Sequence, residues 1–506
     1  DDGAVELEVI EIKNSLIRTK VNLSGKISSN KAVVARGFPS MLDYFTEETI
    51  SALNFVISND IDLNNFAIQS FRTFVDGAFK PATVLVEDGK ISAILEVEAR
   101  PSMAEFYSLG DKMLIPGLTD THVHINEPGR TEWEGFLTAT QAAAAGGITA
   151  LVDMPLNCTP VTTSASAFKQ KLNALEGKLW VDCGFWGGFV PDSLPELDKL
   201  LKAGVLGVKS FTIHSGIDDF PMVRREDLRA AIEVISKHDV PYLIHAELDS
   251  DEPGEGDSQP VIGESYRSFL ESRPKKWEND AIDMMIELAH EARERGEKIK
   301  VHIVHLSSAE AIPAIVRARE EGISITTETC PHYLTLSAET IPDGSTIFKC
   351  CPPIRELSNC RELWRGLDDG VIELIVSDHS PCTPHLKKVD SGDLETAWGG
   401  VSSLQFGLPL VWTEAKKFGL APEKIIQLMA ENTAAFAGFG DRKGKIEVGF
   451  DADLVVFDPD AEFVIRPEII EHRHKLTPYE GRSVFGVVEK TFLKGELVWN
   501  LSLIHI

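Results

Sequence analysis

The sequence has few basic residues and no long apolar run, and each shortage excludes a class of protein. Among 506 residues, 50 Lys and Arg stand against 78 Asp and Glu, which gives a formal net charge of −28. Binding to a nucleic-acid backbone or to an anionic membrane surface relies on clustered cations, so neither partner is predicted. No uncharged stretch approaches the roughly 20 apolar residues that cross a bilayer. The acidic excess is therefore interpreted as a solvating surface.

Cysteines are also scarce. Seven cysteines in a chain of this length do not make a disulfide framework, and no Cys-x-x-Cys pair occurs. Free thiols and a reducing, cytoplasmic location are predicted. The start, Asp1-Asp2-Gly3, shows no basic segment followed by an apolar one, so no signal peptide is predicted. Because an initiator methionine is missing too, a signal upstream of Asp1 stays open.

Residues 1–65 differ in pattern from the rest and are treated as an N-terminal extension. A strand is predicted at 5–12, a turn-rich segment at 24–30 and a helix at 46–57. Through Val5-Glu6-Leu7 and Phe45-Thr46-Glu47-Glu48 the extension resembles part of a pyruvate kinase, without that family's phosphate- or metal-binding residues. A working domain, a truncated fusion and a sequence-assembly join are the alternatives.

From residue 66 onward, strand and helix patterns alternate. Apolar β-rich runs at 148–154, 204–213, 240–245, 300–306, 323–328 and 372–376 are separated by helical stretches such as 138–145, 227–237 and 281–295. About eight parallel strand–helix units close into a barrel. The predicted fold is therefore α/β, a (β/α)8 TIM-like barrel over 116–440. Strand-rich flanks at 66–115 and 441–500 are predicted to form one small β-sandwich, followed by a tail at 501–506.

Five predicted strand ends carry side chains that bind metals or move protons, and active sites of such barrels lie at this end. Two histidines at spacing i, i+2 on a strand point to the same face and can share one metal. A single His or Asp at such a place is more often structural, but the combination favours a site. Residue parity does not decide between His302 and His305. The strand-end residues are His122, His124, Lys209, His245, His302, His305 and Asp378.

Lys209 lies between apolar strand residues, where an unpaired ammonium is energetically expensive. A buried ion pair, a Schiff base and a carbamylated lysine that bridges two metals are the open interpretations.

Taken together, these motifs resemble the cyclic amidohydrolases of the amidohydrolase superfamily over about residues 66–499. The general signature is His122-x-His124, Lys209, His245, His305 and Asp378. More specific stretches indicate the branch that hydrolyses allantoin: 126–136, 209–221, 398–405 and 472–479.

The resemblance implies two divalent metals per subunit, most suitably Zn²⁺, with Mn²⁺, Fe²⁺ or Co²⁺ as alternatives. The two histidines of the His-x-His motif and the aspartate would bind the more buried metal, and the other two histidines the second. Carboxylated Lys209 and a hydroxide would bridge the pair. Asp378 is implied to carry the proton from the attacking hydroxide to the departing ring nitrogen. The implied metal ligands are His122, His124, Lys209, His245, His305 and Asp378.

Substrate choice follows from a departure from dihydroorotases, which carry an arginine two residues after the second histidine to hold a carboxylate. This chain has Asn126 there, which suits a neutral hydantoin. The resemblance implies that backbone groups at Cys351, Gly399 and Gly400 hold the ring imide. The implied reaction is hydrolysis of (S)-allantoin to allantoate, in purine catabolism, by a homotetramer or another homo-oligomer.

Two alternatives remain at this stage. The first is a dihydropyrimidinase or hydantoinase of broader specificity. The second is a non-catalytic scaffold relative, a class that typically loses metal ligands, whereas this chain keeps all six residues of the signature.

Overall fold

The computed structural model describes residues 65–103, 105–249 and 262–503, together with the backbone of two strands nearer the start of the chain. These are β1 (Leu7–Lys13) and β2 (Leu16–Val21), which pair antiparallel. The strand predicted at 5–12 corresponds to β1. The turn-rich segment predicted at 24–30 and the helix predicted at 46–57 lie outside the described residues.

Parallel strands form the barrel, which confirms the predicted α/β fold class. Strands β8 to β10 form one run, and β11 to β16 form the next. A parallel bridge between Val123 and His379 joins the first barrel strand to the segment that follows the last one. A single residue separates β10 from β11, and the two act as one interrupted strand. The barrel strands are β8 (Leu118–Val123), β9 (Ile148–Asp153), β10 (Asp182–Phe185), β11 (Gly187–Gly188), β12 (Val208–Phe211), β13 (Pro241–His245), β14 (Lys300–Ile303), β15 (Ile325–Thr329) and β16 (Leu374–Ile375).

Helices cover the outside of the barrel because each carries one apolar stripe. In the helix Arg225–Ile235, the buried residues Leu228, Ala231, Ile232 and Ile235 follow the i, i+3, i+4, i+7 spacing. The described α-helices are α1 (Phe136–Ala145), α2 (Ala165–Ala174), α3 (Leu194–Lys202), α4 (Arg225–Ile235), α5 (Tyr266–Glu271), α6 (Lys275–Glu294), α7 (Ile312–Glu320), α8 (Pro331–Thr335), α9 (Leu357–Asp368), α10 (Gly407–Phe418), α11 (Pro422–Ile426) and α12 (Asn432–Phe436).

Helix α6 begins earlier than the predicted 281–295. Its first residues, 275–280, are mostly charged or polar, so apolar periodicity does not reveal them. Pro274 sets the start of the helix, because proline lacks an N–H and is tolerated just before or within the first turn.

Strands from both flanks of the chain form one eight-stranded sheet, the β-sandwich part of the fold. Its order is β19-β18-β17-β7-β3-β4-β5, with β6 paired to β3. Apolar side chains from the two flanks share one core, in which the tilted rings of Phe66 and Phe492 pack with 5.1 Å between their centroids. The strands are β3 (Phe66–Val75), β4 (Ala78–Glu87), β5 (Lys90–Leu95), β6 (Glu105–Ser108), β7 (Met113–Pro116), β17 (Leu454–Val464), β18 (Ser483–Leu493) and β19 (Glu496–Asn500).

Two smaller features complete the fold. All seven cysteines are free thiols. In the part of the chain that the structure describes, no helix combines the length and apolar character needed to cross a membrane.

Candidate active site

The carboxyl ends of the barrel strands bring the six predicted metal ligands into one buried cluster. The ligands lie on, or just after, five different strands, which converge at this end because the sheet is parallel and closed. All six residues are at most 6% exposed: His122, His124, Lys209, His245, His305 and Asp378.

The first half of the cluster consists of His122, His124 and Asp378. Nε2 of His122 lies 3.2 Å from Oδ1 of Asp378, and Nε2 of His124 lies 3.6 Å from the same atom. One donor atom from each residue lies within 4.8 Å of the others, and all three residues are buried. Two imidazoles and a carboxylate at this separation suit a divalent cation such as zinc.

The second half lies next to it. The Lys209 amine is 3.1 Å from Nε2 of His122, and the His305 ring lies 5.3 Å from the ring of His122 and 4.6 Å from the ring of His245. Nδ1 of His305 is buried without a hydrogen-bond partner. An unpartnered ring nitrogen beside other imidazoles fits a place that a metal would occupy.

Burial keeps the imidazoles of this cluster neutral. Burial first, and then the Lys209 ammonium, hold the pKa values of His122 and His124 well below the usual range. Burial also lowers the pKa of His305 strongly. A neutral imidazole is the form that coordinates metals, so the histidines are already in the required state.

The pKa values of Lys209 and Asp378 are shifted in opposite directions. Burial lowers the pKa of the Lys209 amine, and the nearby Asp378 opposes this effect. Burial raises the pKa of the Asp378 carboxyl, with Lys209 opposing. A carboxyl with a raised pKa can accept and return a proton near neutral pH.

Glu328, on β15, orients the cluster, although the sequence interpretation did not include it. Its Oε1 lies 2.5 Å from Nδ1 of His122 and accepts a 3.3 Å hydrogen bond from the backbone N–H of His305. Its Oε2 lies 3.1 Å from Nε2 of His302. By holding Nδ1 of His122, the carboxylate leaves Nε2 directed at the site.

His302 and His305, which parity did not distinguish, have different surroundings in the structure. His302 uses one ring nitrogen toward Glu328 and the other toward Oγ1 of Thr326, at 2.7 Å. His305 instead faces His122 and His245. His302 therefore supports the cluster from outside it.

A second carboxylate orients His245 in the same way. Oε2 of Glu247 lies 2.8 Å from Nε2 of His245, and Arg273 forms two hydrogen bonds to this carboxylate. Burial raises the pKa of Glu247, but Arg273 and His245 outweigh that effect and bring it to about 2. The signal for Glu247 and Glu328 was available in the sequence, because each is an acidic residue at a buried strand end.

Three predicted site residues adopt unusual backbone conformations. The φ angles of Asn126, His305 and Asp378 are 66°, 39° and 43°. Residues other than glycine rarely occupy this left-handed region, and such strain concentrates at functional sites. The Ser380 hydroxyl donates a 2.7 Å hydrogen bond to Oδ1 of Asp378 and fixes the direction of its carboxylate.

Asn126 lies beside this cluster. It is 1% exposed, and its Nδ2 donates a 3.3 Å hydrogen bond to the carbonyl of Pro381. Its Oδ1 is buried without a hydrogen-bond partner. An acceptor is therefore available to a ligand N–H.

The other predicted substrate-binding positions form one wall next to Asp378. A Cβ added to Gly399 would lie 3.4 Å from Sγ of Cys351, and one added to Gly400 would lie 2.2 Å from the carbonyl oxygen of Ser380. Gly400, at φ 148°, therefore allows the close approach of this wall to the segment that carries Asp378.

Two buried lysines hold that wall together. Nζ of Lys387 donates to the backbone carbonyls of Lys349 and Trp398 at 3.0 Å each and to that of Gly400 at 2.5 Å. Nζ of Lys349 donates to two further carbonyls, those of Glu395 and Ala397. The segments around 349–351 and 397–400 are thus fixed relative to each other.

Comparison with known proteins agrees with this geometry. The model of the amidohydrolase family matches residues 113–498. The chain is 46% identical over 445 residues to allantoinase of Saccharomyces cerevisiae, covering 86% of this chain and 95% of the yeast protein. It is 45% identical over 442 residues to allantoinase of Streptomyces avermitilis, covering 87% and 96%. The solved L-hydantoinase (dihydropyrimidinase) of Arthrobacter aurescens aligns with a TM-score of 0.79 at 27% identity, covering 87% of this chain and 96% of that one. The chain therefore belongs to the amidohydrolase family and, within it, to the allantoinases.

Proposed function

We propose that this protein is an allantoinase, a hydrolase that opens the hydantoin ring of (S)-allantoin at its cyclic amide bond to give allantoate. The observation that carries the proposal is the convergence of six buried metal- and proton-binding side chains at one end of the barrel. The identity of about 45% to allantoinases over most of the chain supports the choice of substrate. The substrate is accordingly a small molecule.

The amidohydrolase family is metal-dependent, and the residues described above fit a binuclear centre. In the proposed arrangement, His122, His124 and Asp378 bind one divalent cation, most suitably Zn²⁺. His245 and His305 bind the second. The neutral imidazoles and the orienting carboxylates of Glu328 and Glu247 support this assignment.

We propose that Lys209 is carboxylated and, in that form, would help to hold both cations. Burial lowers the pKa of its amine, which favours the neutral form that adds to CO₂ with loss of one proton. The resulting carbamate carries one negative charge over two oxygens, so it compensates positive charge where an ammonium would add to it. Nζ of Lys209 lies 3.1 Å from Nε2 of His122, which supports a place for the carbamate beside the proposed metal ligands.

When bound, the two cations supply a nucleophile by acidifying water and polarise the scissile carbonyl. Asp378 accepts the proton of the attacking water and returns it to the ring nitrogen as the amide bond breaks. The hydrogen bond from Ser380 keeps the Asp378 carboxylate directed at the site. Its raised pKa makes both proton transfers feasible near neutral pH.

Substrate binding is assigned to Asn126 and to the wall formed by Cys351, Gly399 and Gly400. Oδ1 of Asn126 offers an acceptor to an N–H of the substrate. The backbone groups of Cys351 and Gly399 and the C=O of Gly400 pair with the ring imide, because the N–H of Gly400 already donates to the carbonyl of Lys349 at 2.8 Å. No cation replaces the arginine that dihydroorotases have at position 126, so a carboxylate substrate lacks its bidentate partner.

The function is tested by comparing hydrolysis of (S)-allantoin, dihydrouracil and dihydroorotate by the purified protein. We expect allantoin to have the highest kcat/KM. Faster cleavage of dihydrouracil would favour a hydantoinase, like the structural relative from Arthrobacter aurescens. Absence of turnover and of bound metal would favour a scaffold. Elemental analysis should find about two divalent metals per chain.

The domain boundaries and assembly are further parts of the proposal. We assign 116–440 to the barrel, 66–115 and 441–500 to the sandwich, and 1–65 and 501–506 to segments that catalysis does not need. Removal of 1–65 should leave kcat/KM unchanged, and loss of activity on removal would contradict this assignment. We expect a homotetramer or another homo-oligomer, which light scattering would measure.

A further inference from the structure

A second group of metal-binding side chains lies beside the proposed catalytic centre. Cys330 and His332 follow β15, and one donor atom from each lies within 4.8 Å of the other and of a carboxylate oxygen of Asp378. All three residues are buried. The proposed mechanism uses Asp378 but gives no role to the thiol or to this imidazole.

His332 is the member of this group without a partner. Neither of its ring nitrogens makes a hydrogen bond, although the residue is 0% exposed. Its ring packs edge-on against Tyr333, at 4.2 Å between centroids. Buried polar groups are almost always hydrogen-bonded in folded proteins, so two unpartnered nitrogens indicate a place for a bound species.

The donors of this group differ in kind from those of the catalytic cluster. The catalytic cluster offers imidazoles and a carboxylate, whereas this group adds a thiol, which binds softer cations as a thiolate. Both ring nitrogens of His332 lack a hydrogen-bond partner, so the imidazole can offer either of them to a cation. The chemistry therefore selects a thiophilic cation.

We propose that Cys330, His332 and Asp378 bind one thiophilic divalent cation, such as Cd²⁺ or excess Zn²⁺, in addition to the two catalytic metals and sharing Asp378 with the first of them. Binding releases the thiol proton of Cys330 to solvent as the thiolate coordinates. The bound cation also occupies the carboxylate that accepts and returns the proton in hydrolysis, so it inhibits the enzyme. The inhibition rests on the proposed function, whereas the binding does not.

The surrounding charges set the strength of this site. The carboxylates of Asp378, Glu328 and Asp120 attract a cation, but burial and then these same carboxylates disfavour ionisation of the Cys330 thiol, so a cation must compete with the thiol proton. The Lys387 ammonium acts on His332 and repels one. We therefore expect cation binding at this site to depend on the thiolate. Mg²⁺, which prefers oxygen ligands, should not bind in the same way.

The test is a titration of the metal-loaded full chain with cadmium chloride. Thiolate-to-cadmium charge-transfer absorption, elemental content and allantoin hydrolysis are followed together. We expect one added Cd²⁺ per chain, retention of the resident metals, and loss of activity in parallel with the absorption band. Cys330→Ser should abolish the band and raise the Cd²⁺ concentration for half-inhibition at least about tenfold, relative to its own cadmium-free rate.

Two further variants keep the proposal falsifiable. His332→Gln retains the thiol and should weaken cadmium binding about tenfold. Cys351→Ser is the matched control, because it removes another thiol near the site and should leave the band unchanged. Loss of the band in Cys351→Ser but not in Cys330→Ser would overturn the proposal, as would displacement of a resident metal by Cd²⁺. If the wild type binds Cd²⁺ as described but does not hydrolyse allantoin, the proposed function fails while the cation site stands.

Discussion

Oε1 of Glu328 lies 2.5 Å from Nδ1 of His122, and the same carboxylate reaches His302 and the backbone of His305. One carboxylate therefore fixes the tautomer of one proposed metal ligand and the position of another. The contact joins β15 to β8 across the barrel interior. It acts on the reaction only through the histidines, so Glu328 is a positioning residue.

Replacing Glu328 should weaken metal binding. The two histidines that face Glu328 each need an acceptor oxygen, but the amide in Glu328→Gln has only one. We therefore expect roughly 10- to 100-fold weaker metal affinity. Elemental analysis after dialysis against a chelator, together with kcat at saturating added metal, measures the effect. Glu373→Gln is the matched control, because Glu373 accepts a 3.0 Å hydrogen bond from the backbone of the same strand, at Thr327, without contacting the proposed ligands. Normal metal retention in Glu328→Gln would contradict the positioning role.

Removing the side chain of Lys209 should abolish hydrolysis. Lys209→Ala deletes the proposed bridge and leaves space where the carbamate would lie. Short carboxylic acids such as acetate or propionate should restore part of kcat, because they can place two oxygens between the cations. The measurement is the rate of allantoin hydrolysis against acid concentration, with circular dichroism to confirm folding. Normal activity of Lys209→Ala would refute the bridge.

Asn126→Gly should impair substrate binding more than metal binding. Glycine tolerates the φ of 66° found here, so the substitution removes the amide without adding strain. Loss of one hydrogen bond to a neutral group costs about 1 kcal/mol, which corresponds to a several-fold rise in KM. Asp76→Gly, at a turn of the same backbone handedness in the sandwich, controls for added flexibility. A rise in KM shared by both variants would argue against a role for the Asn126 amide.

Lys387→Met should loosen the wall that carries Gly399 and Gly400. The variant removes three hydrogen bonds to backbone carbonyls, so we expect KM for allantoin to rise about tenfold with metal content unchanged. Lys443→Met is the control, since Lys443 is an equally buried lysine paired with Asp182 and Asp453, away from the site. If both variants lose stability but neither changes KM, the wall does not depend on Lys387.

The buried His472 should make the protein sensitive to acid. Burial, and then His379, lower the pKa of His472 from 6.5 to about 3. His472 binds a proton near pH 6.5 in the unfolded chain but only near pH 3 in the folded chain. Its contribution to the free energy of unfolding is therefore complete above pH 6.5 and is lost as the pH falls toward 3. One such group contributes a slope of at most about 1.4 kcal/mol per pH unit. Urea unfolding of wild type and His472→Phe from pH 7.5 to 4.5 should show a smaller pH dependence in the variant; equal slopes would contradict the assignment.

Much of this architecture could be predicted from local sequence patterns. The apolar strand runs and amphipathic helices repeat along the chain, and their order alone indicates a parallel barrel. The spacing of His122 and His124 places both on one strand face, and the remaining ligands follow because each ends a recognisable strand. Helix α6 shows the limit of this approach, since its first turn and a half is polar and only Pro274 marks its start.

Tertiary structure decided which side chains meet across the barrel. Parity on β14 did not distinguish His302 from His305, and their different orientations depend on Glu328, which comes from the neighbouring strand. Likewise, the segment around Asp378 meets β8 only when the barrel closes, where Ser377 contacts the carbonyl of His122 from 255 residues away. Periodicity is a property of neighbours along the chain, whereas orienting carboxylates and shared ligands depend on which strands are adjacent in space. The sequence by itself therefore determined the strands and the candidate metal-binding residues at their ends, and only closure of the barrel decided how those residues are oriented.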